Sequence, residues 1–216
     1  MSFHLTHAAL HKDDLCAEIL SILEKHNWDR FVLAAISYGT VISSQMLKNV
    51  EIAPRIGPIL FIDPIPFLIH QPDLVYNFLY RLPRKPSEHQ LYYFASTDMG
   101  VAHTLTRRMF WSDNILWKED VEGRRMTVML SEKDIVVDTK AVGRYLTRGK
   151  GVKAVDDYRG DEWRSRAWSG DGLDVLWFEG LNHGEVLDTK EDRETLIRVL
   201  MNYSKEGYES IPKRGL

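Results

Sequence analysis

Two uninterrupted apolar runs constrain this chain more than any other feature. "FVLAAI", Phe31 to Ile36, and "IGPILFI", Ile56 to Ile62, contain no polar side chain. A strand with one wet face alternates apolar and polar residues, so a run that is apolar throughout needs cover on both faces. Two further runs read as strands, Met126 to Leu130 and Leu173 to Phe178. Between and around them lie helical patterns at Lys12–His26, Gly39–Asn49 and Asp138–Leu146, and a closing helix within "TKEDRETLIRVLMNY". This alternation predicts an α/β fold: a parallel sheet covered by helices on both faces.

The first helix has Asp13 and Asp14 at its positive end and Lys25 and His26 at the other, which suits its dipole. Cys16, spaced helically with Ile19, Leu20 and Leu23, reads as a core thiol. In the closing helix Thr189 and Asp192 form a capping-box pattern, and Leu196, Ile197, Leu200 and Tyr203 form the expected buried stripe. The polar segment Thr147–Gly172 is expected to be irregular and to cover one edge of the domain. The tail "SKEGYESIPKRGL" is expected to be loose.

Residues 65–122, between the second and third strands, are too many for a simple connection. They are rich in aromatics and helical in pieces, so a helical cap inserted into a single domain spanning 1–216 is expected. Its aromatics Phe67, Tyr76, Phe78, Tyr80, Phe110, Trp111 and Trp117 would line an apolar pocket, or simply pack as core.

Composition narrows the function classes. At 216 residues the chain is the size of one domain, and with a net charge of −3 it has no basic field for nucleic acid. Cys16 is the single cysteine, so no intrachain disulfide can form. The N-terminus lacks a basic start followed by an apolar run, which argues against a signal peptide. The most apolar region, residues 56–80, is broken by Asp63, Asp73 and four prolines, so no transmembrane helix is expected. Cytoplasm is the default compartment. His4, His7 and His11 have helical spacing but no supporting ligand set, so no metal site is expected there. His70, His89 and His103 fall in the cap, where His70 or His103 could face a substrate.

Ser37 sits in Ala35-Ile36-Ser37-Tyr38-Gly39, between a strand and a helix. Small residues two before and two after a serine fit a nucleophile elbow, where strand and helix must approach closely. The same pattern also serves as a plain N-cap. A nucleophilic serine needs a base, and the base needs an orienting carboxylate. Asp134 follows the third strand in "SEKDIVV", and His183 follows the fourth in "GLNHGEVL". The order Ser, acid, His, each just past a strand end, is stronger than the serine alone. Asp63, after the second strand, is a rival acid. Asp138 is another, although it better suits the start of a helix.

"ISYGT", "LFIDPIPFLIHQPDLVYNFLYR", "SEKDIVV" and "GLNHGEVL" together resemble the α/β-hydrolase superfamily, over nearly all of Asp13 to Tyr203. More closely they resemble fungal members in which a Ser-Tyr-Gly elbow is followed by an Asp-Pro strand end and a helical cap. The resemblance implies Ser37 as nucleophile, Asp134 as acid, His183 as base and the Tyr38 backbone N–H as an oxyanion donor. It implies hydrolysis of a carboxylic ester or related apolar acyl substrate, with no cofactor and no metal. It also implies a larger sheet, of which this chain holds the C-terminal half. The strands that would precede Phe31–Ile36 are expected to be absent, and with them the loop carrying a second oxyanion donor. Removing one such donor typically costs on the order of a hundredfold to a thousandfold in rate. Phe31–Ile36 would then be an open edge. The chain is accordingly a piece of a longer enzyme, or pairs that edge with a second copy, or covers it with its N-terminal residues and Thr147–Gly172. A catalytically impaired binding module and an acyltransferase are the alternative functions.

Overall fold

In the computed structural model, which describes residues 9–148 and 161–209, the apolar runs are strands of one sheet. α1 (Lys12–Lys25) leads to β1 (Phe31–Ile36), α2 (Tyr38–Lys48) and β2 (Ile56–Ile62). Short helices come next: α3 (Pro72–Val75), α4 (Pro86–Leu91), α5 (Met99–Arg107) and α6 (Trp111–Asn114). α3 runs on into a π-helical turn at Tyr76–Tyr80, and α4 into another at Tyr92–Ser96. β3 (Met126–Ser131), α7 (Thr139–Thr147), β4 (Leu173–Phe178) and α8 (Lys190–Glu209) complete the chain.

The four strands are parallel and lie in sequence order, β1-β2-β3-β4. Alternate residues face opposite sides, as the two-residue period of a strand requires. Ile59 and Phe61 of β2, with Met126, Val128 and Leu130 of β3, pack towards α1, α2 and α7. Leu60, Ile62 and Met129 point the other way, against Val199 and Tyr203 of α8. Helices therefore cover both faces. β2 and β3 are buried almost throughout, as the apolar runs predict.

β1 behaves differently. Leu33 is buried, Ala34 is exposed and the other four residues are intermediate. Among the described residues β1 has a strand neighbour on one side only, so its apolar sequence is only partly covered. The described part of Thr147–Gly172 does not cover that edge. It lies at the opposite end of the sheet, where Trp163 stacks edge-on against Trp177 of β4 with ring centroids 5.2 Å apart. Residues 149–160 of that segment fall outside the described residues, as do His4 and His7.

Two further expectations need correction. In α8 the buried positions are Val199 and Tyr203, while Ile197 is 48% exposed. The helix turns its stripe towards Thr127 of β3, whose hydroxyl meets the Tyr203 hydroxyl at 2.6 Å, and this anchor sets the rotation. The first part of the expected loose tail is helical, because α8 continues to Glu209; residues 210–216 lie outside the described residues. The Thr189–Asp192 capping box forms: the Asp192 N–H donates to Thr189 Oγ1 at 3.1 Å, and the Thr189 hydroxyl donates to Asp192 at 2.6 Å. Cys16 is buried, and burial, followed by the charge of Asp13, pushes its thiol pKa up. No helix among the described residues is long and apolar enough to cross a membrane.

The register aligns the strand ends. Ile36 lies opposite Ile62, Ile62 opposite Met129, and Ser131 opposite Phe178. The carboxyl ends of all four strands are therefore gathered along one rim, where open parallel sheets hold their sites.

Candidate active site

Ser37 occupies the bend between β1 and α2 with φ 49° and ψ −124°, a conformation costly for a residue with a side chain. Neighbours impose it. The Ser37 N–H donates to Ile62 O at 3.0 Å, and Ser37 O accepts the Thr40 N–H at 2.9 Å and the Thr40 hydroxyl at 2.5 Å. Thr40 Oγ1 in turn accepts the Ile65 N–H at 3.1 Å. A methyl added at Gly39 would stand 3.7 Å from Ala35 Cβ, so strand and helix do approach closely across the two small residues. The Ser37 hydroxyl makes no capping bond to α2. It points instead at His183, with Oγ 2.7 Å from Nε2.

His183 stands in the loop after β4. Its Nδ1 is 2.7 Å from Asp134 Oδ2. A carboxylate oxygen can only accept, so Nδ1 carries the proton and Nε2 is left to accept the serine hydroxyl. The other Asp134 oxygen accepts the N–H groups of Val136 and Val137 at 2.7 and 2.8 Å. That turn fixes the carboxylate, which is fully buried. Burial is the largest influence on the His183 pKa and lowers it, but the hydrogen bond and charge of Asp134, with the charge of Asp63, outweigh it and leave the pKa raised.

The rival acids do different things. Asp138 caps α7 by accepting the Ala141 N–H at 3.0 Å. Asp63 is 0% exposed and accepts the Ser131 N–H, the Ser131 hydroxyl and the Gly184 N–H at 2.8, 2.9 and 2.8 Å. Asp63, Asp134 and His183 bring three possible metal-ligand atoms within 4.8 Å of one another. Their polar atoms already hold one another, Ser37, Ser131 or backbone N–H groups.

Sequence reasoning overlooked Asn182, which gives no motif signal. Its Oδ1 accepts the N–H of His183 at 2.8 Å and that of Ile135 at 3.1 Å, tying the histidine loop to the Asp134 loop. It also overlooked Asn77 and Arg81. They donate to the carbonyls of Val136 and Ile135 at 3.2 and 2.5 Å and fasten the helices after β2 to the Asp134 turn.

Tyr38 is the first residue of α2, and the first N–H groups of a helix have no intrahelical acceptor. Ser37, Tyr38 and His183 open into a cavity of about 1060 Å³. Its walls are Ile65, Ile69, Val136 and residues of the segment from α3 to α6, among them Leu74, Phe78, Leu91, Val101, Leu105 and Met109. Of the expected aromatics, Tyr76, Phe78, Tyr80 and Trp111 line it. Phe67 does not; it is buried core, 6.5 Å from the Phe61 ring. His70 reaches the cavity, beside Trp111, whereas His103 does not line it. No Lys, Arg, Asp or Glu lines it among the described residues.

No protein-family model and no curated protein matches this sequence. Solved structures do. A carboxylesterase from the thaumarchaeon Nitrososphaera gargenis aligns with TM-score 0.53 and 14% identity, over 93% of this chain and 75% of its own. A meta-cleavage product hydrolase from Pseudomonas fluorescens IP01 aligns with TM-score 0.51 and 13% identity, over 95% and 75%. The carboxylesterase CesB of Bacillus subtilis aligns with TM-score 0.51 and 10% identity, over 91% and 68%. The fold is that of the α/β-hydrolases. In an α/β-hydrolase fold a bend after a strand, carrying a serine and opening a helix, is where a nucleophile would sit.

Proposed function

We propose that this chain is a serine hydrolase of α/β-hydrolase type, acting on a carboxylic ester or related acyl compound through Ser37, His183 and Asp134. The observation that carries the reading is the pair of 2.7 Å contacts linking Ser37 to His183 and His183 to Asp134. The strained bend at Ser37, the adjoining apolar cavity and the carboxylesterases among the fold neighbours support it.

In the reaction the Ser37 Oγ attacks the acyl carbon while its proton passes to His183 Nε2. The Tyr38 N–H faces the carbonyl oxygen as it becomes charged. The tetrahedral intermediate expels the alkoxide, which takes the proton from His183, leaving an acyl-serine. Water then attacks the acyl carbon, gives its proton to His183, and the serine is released with that proton. Asp134 holds the ring in the required tautomer and stabilises its positive charge. Residues 65–122 act as a cap over the acyl site within one domain spanning 1–216. Pairing of the open side of β1 with a second copy belongs to the same reading, and light scattering of the purified chain checks it.

A fluorophosphonate probe is expected to label the unsubstituted chain once, at Ser37, and Ser37→Ala is expected to abolish labelling. A folded, monodisperse sample that takes up no probe would refute the hydrolase.

A further inference from the structure

The mechanism uses one of the two buried carboxylates at the strand rim and leaves Asp63 unassigned. Asp63 follows β2 directly and, like Ser37, adopts a left-handed backbone, with φ 43°. Its own N–H donates to Met129 O of β3 at 2.9 Å. Its carboxylate is surrounded by donors. Oδ1 accepts the Ser131 N–H, and Oδ2 accepts both the Ser131 hydroxyl and the Gly184 N–H. Ser131 is the last residue of β3, three before Asp134. Gly184 directly follows His183, and its φ of 77° is one that glycine alone adopts readily. One carboxylate thus joins the base of the Asp134 loop to the residue after the histidine, without touching Ser37 or the ring's hydrogen-bonding contacts.

The geometry points to Asp63 as a positioning residue that sets the spacing between the Asp134 and His183 loops and shares with Asp134 the stabilisation of the positively charged ring. Three donors converge on its oxygens, an environment made for an ionised acceptor. Burial, then the charge of Asp134, pushes its pKa up; the Gly184 N–H, the charge of His183 and the Ser131 N–H pull it back. The other titratable groups on the surrounding elements are Glu132 and Lys133 beyond β3, Glu185 beyond His183, and Tyr38 on the elbow. Glu132 is taken up by the Gly180 N–H and Glu185 by the Asn182 N–H. Asp63 and Asp134 are the carboxylates whose charge bears on His183.

The test compares Asp63→Asn with the unsubstituted chain by two readouts. The first is the NMR titration of the His183 ring in histidine-labelled protein, assigned by its loss in His183→Gln. The second is the pH dependence of fluorophosphonate labelling. The asparagine keeps the size and removes the charge. In either orientation its NH2 faces a backbone N–H, of Ser131 or of Gly184, so one tether is lost as well. With the charge gone, the ring is expected to titrate at lower pH. Labelling is expected to slow by about tenfold to a hundredfold through misplacement of the ring, with its acid limb displaced the same way. An unchanged His183 titration in a folded variant overturns the inference, whether or not labelling slows, because slowing alone is what a purely structural role gives. The labelling half rests on the hydrolase reading. Should the unsubstituted chain take up no probe, that reading fails, and the ring titration still decides the role of Asp63. Should Asp63→Asn not fold, the Gly184 amide proton of the unsubstituted chain decides. It is expected far downfield and to move upfield in acid as Asp63 gains a proton; an amide indifferent to pH overturns the inference.

Discussion

At Ser37 the backbone sits at φ 49°, which a serine holds only when its neighbours enforce it. Ile62 and Thr40 supply that force, and only one of them is local in sequence. The same division holds at His183, whose raised pKa depends on carboxylates 49 and 120 positions earlier in the chain. Two pH slopes of opposite sign result. On the proposed reading His183 must be neutral to accept the serine proton, so labelling is expected to rise with pH through a midpoint above the ordinary histidine value of 6.5. The folded pKa lies above the unfolded one, so the stabilisation from the charged ring is complete below about pH 6.5 and is lost as pH rises through the folded value. Thermal melts across that window check the second slope, and Asp134→Asn is expected to flatten it. The same substitution is expected to slow labelling on the order of a thousandfold or more, because the ring loses its tautomer control.

Elements answer to packing. α7 meets the Trp163 ring at Gly143, where an added Cβ would stand 2.1 Å from the indole. Gly143→Ala is expected to destabilise the fold by about 1–3 kcal/mol through overpacking, read as a lower urea midpoint. Gly39→Ala is the contrast, since its methyl finds 3.7 Å of room beside Ala35. Little or no loss of stability is expected there, because the backbone at Gly39 is helical and suits an alanine. The π-helical turns after α3 and α4 had no clear trace in the residue pattern, because their widened hydrogen bonds depend on the packing of these helices against one another. The rotation of α8 was equally hidden. Leu196, Ile197, Val199 and Leu200 are similar in hydropathy, and the Tyr203–Thr127 contact decides which of them turn inward.

Across the whole molecule, the gathering of four strand ends on one rim brings Ser37, Asp134 and His183 together, and the helices between β2 and β3 wall the cavity beside them. On the proposed reading, a cavity of about 1060 Å³ with no Lys, Arg, Asp or Glu in its lining among the described residues would favour neutral, bulky acyl groups. Within a series of nitrophenyl esters, medium and long neutral chains are expected to be cleaved faster than acetate. A hemisuccinate is expected to react at least about tenfold more slowly than the neutral ester of equal length, because its carboxylate would enter an apolar site unpaired. Equal rates would mean that acyl chains do not enter this cavity.

Read alone, the residues determined the four strands, the order of helices and strands, and the Ser37, Asp134 and His183 candidates, because apolar runs and turn residues are local signals. Tertiary structure showed what Asp63 and Asp134 each touch. Asp63 and Asp134 both follow strands, and what each carboxylate reaches lies far away in sequence. Only the parallel register, which brings the ends of β1, β2, β3 and β4 together, puts Asp134 on the ring and Asp63 on Ser131 and Gly184, whereas the cap that Asp138 gives its own helix is local and legible in the sequence. It also left β1 half-covered despite a wholly apolar sequence, because burial depends on what lies beside a strand as well as on what the strand contains.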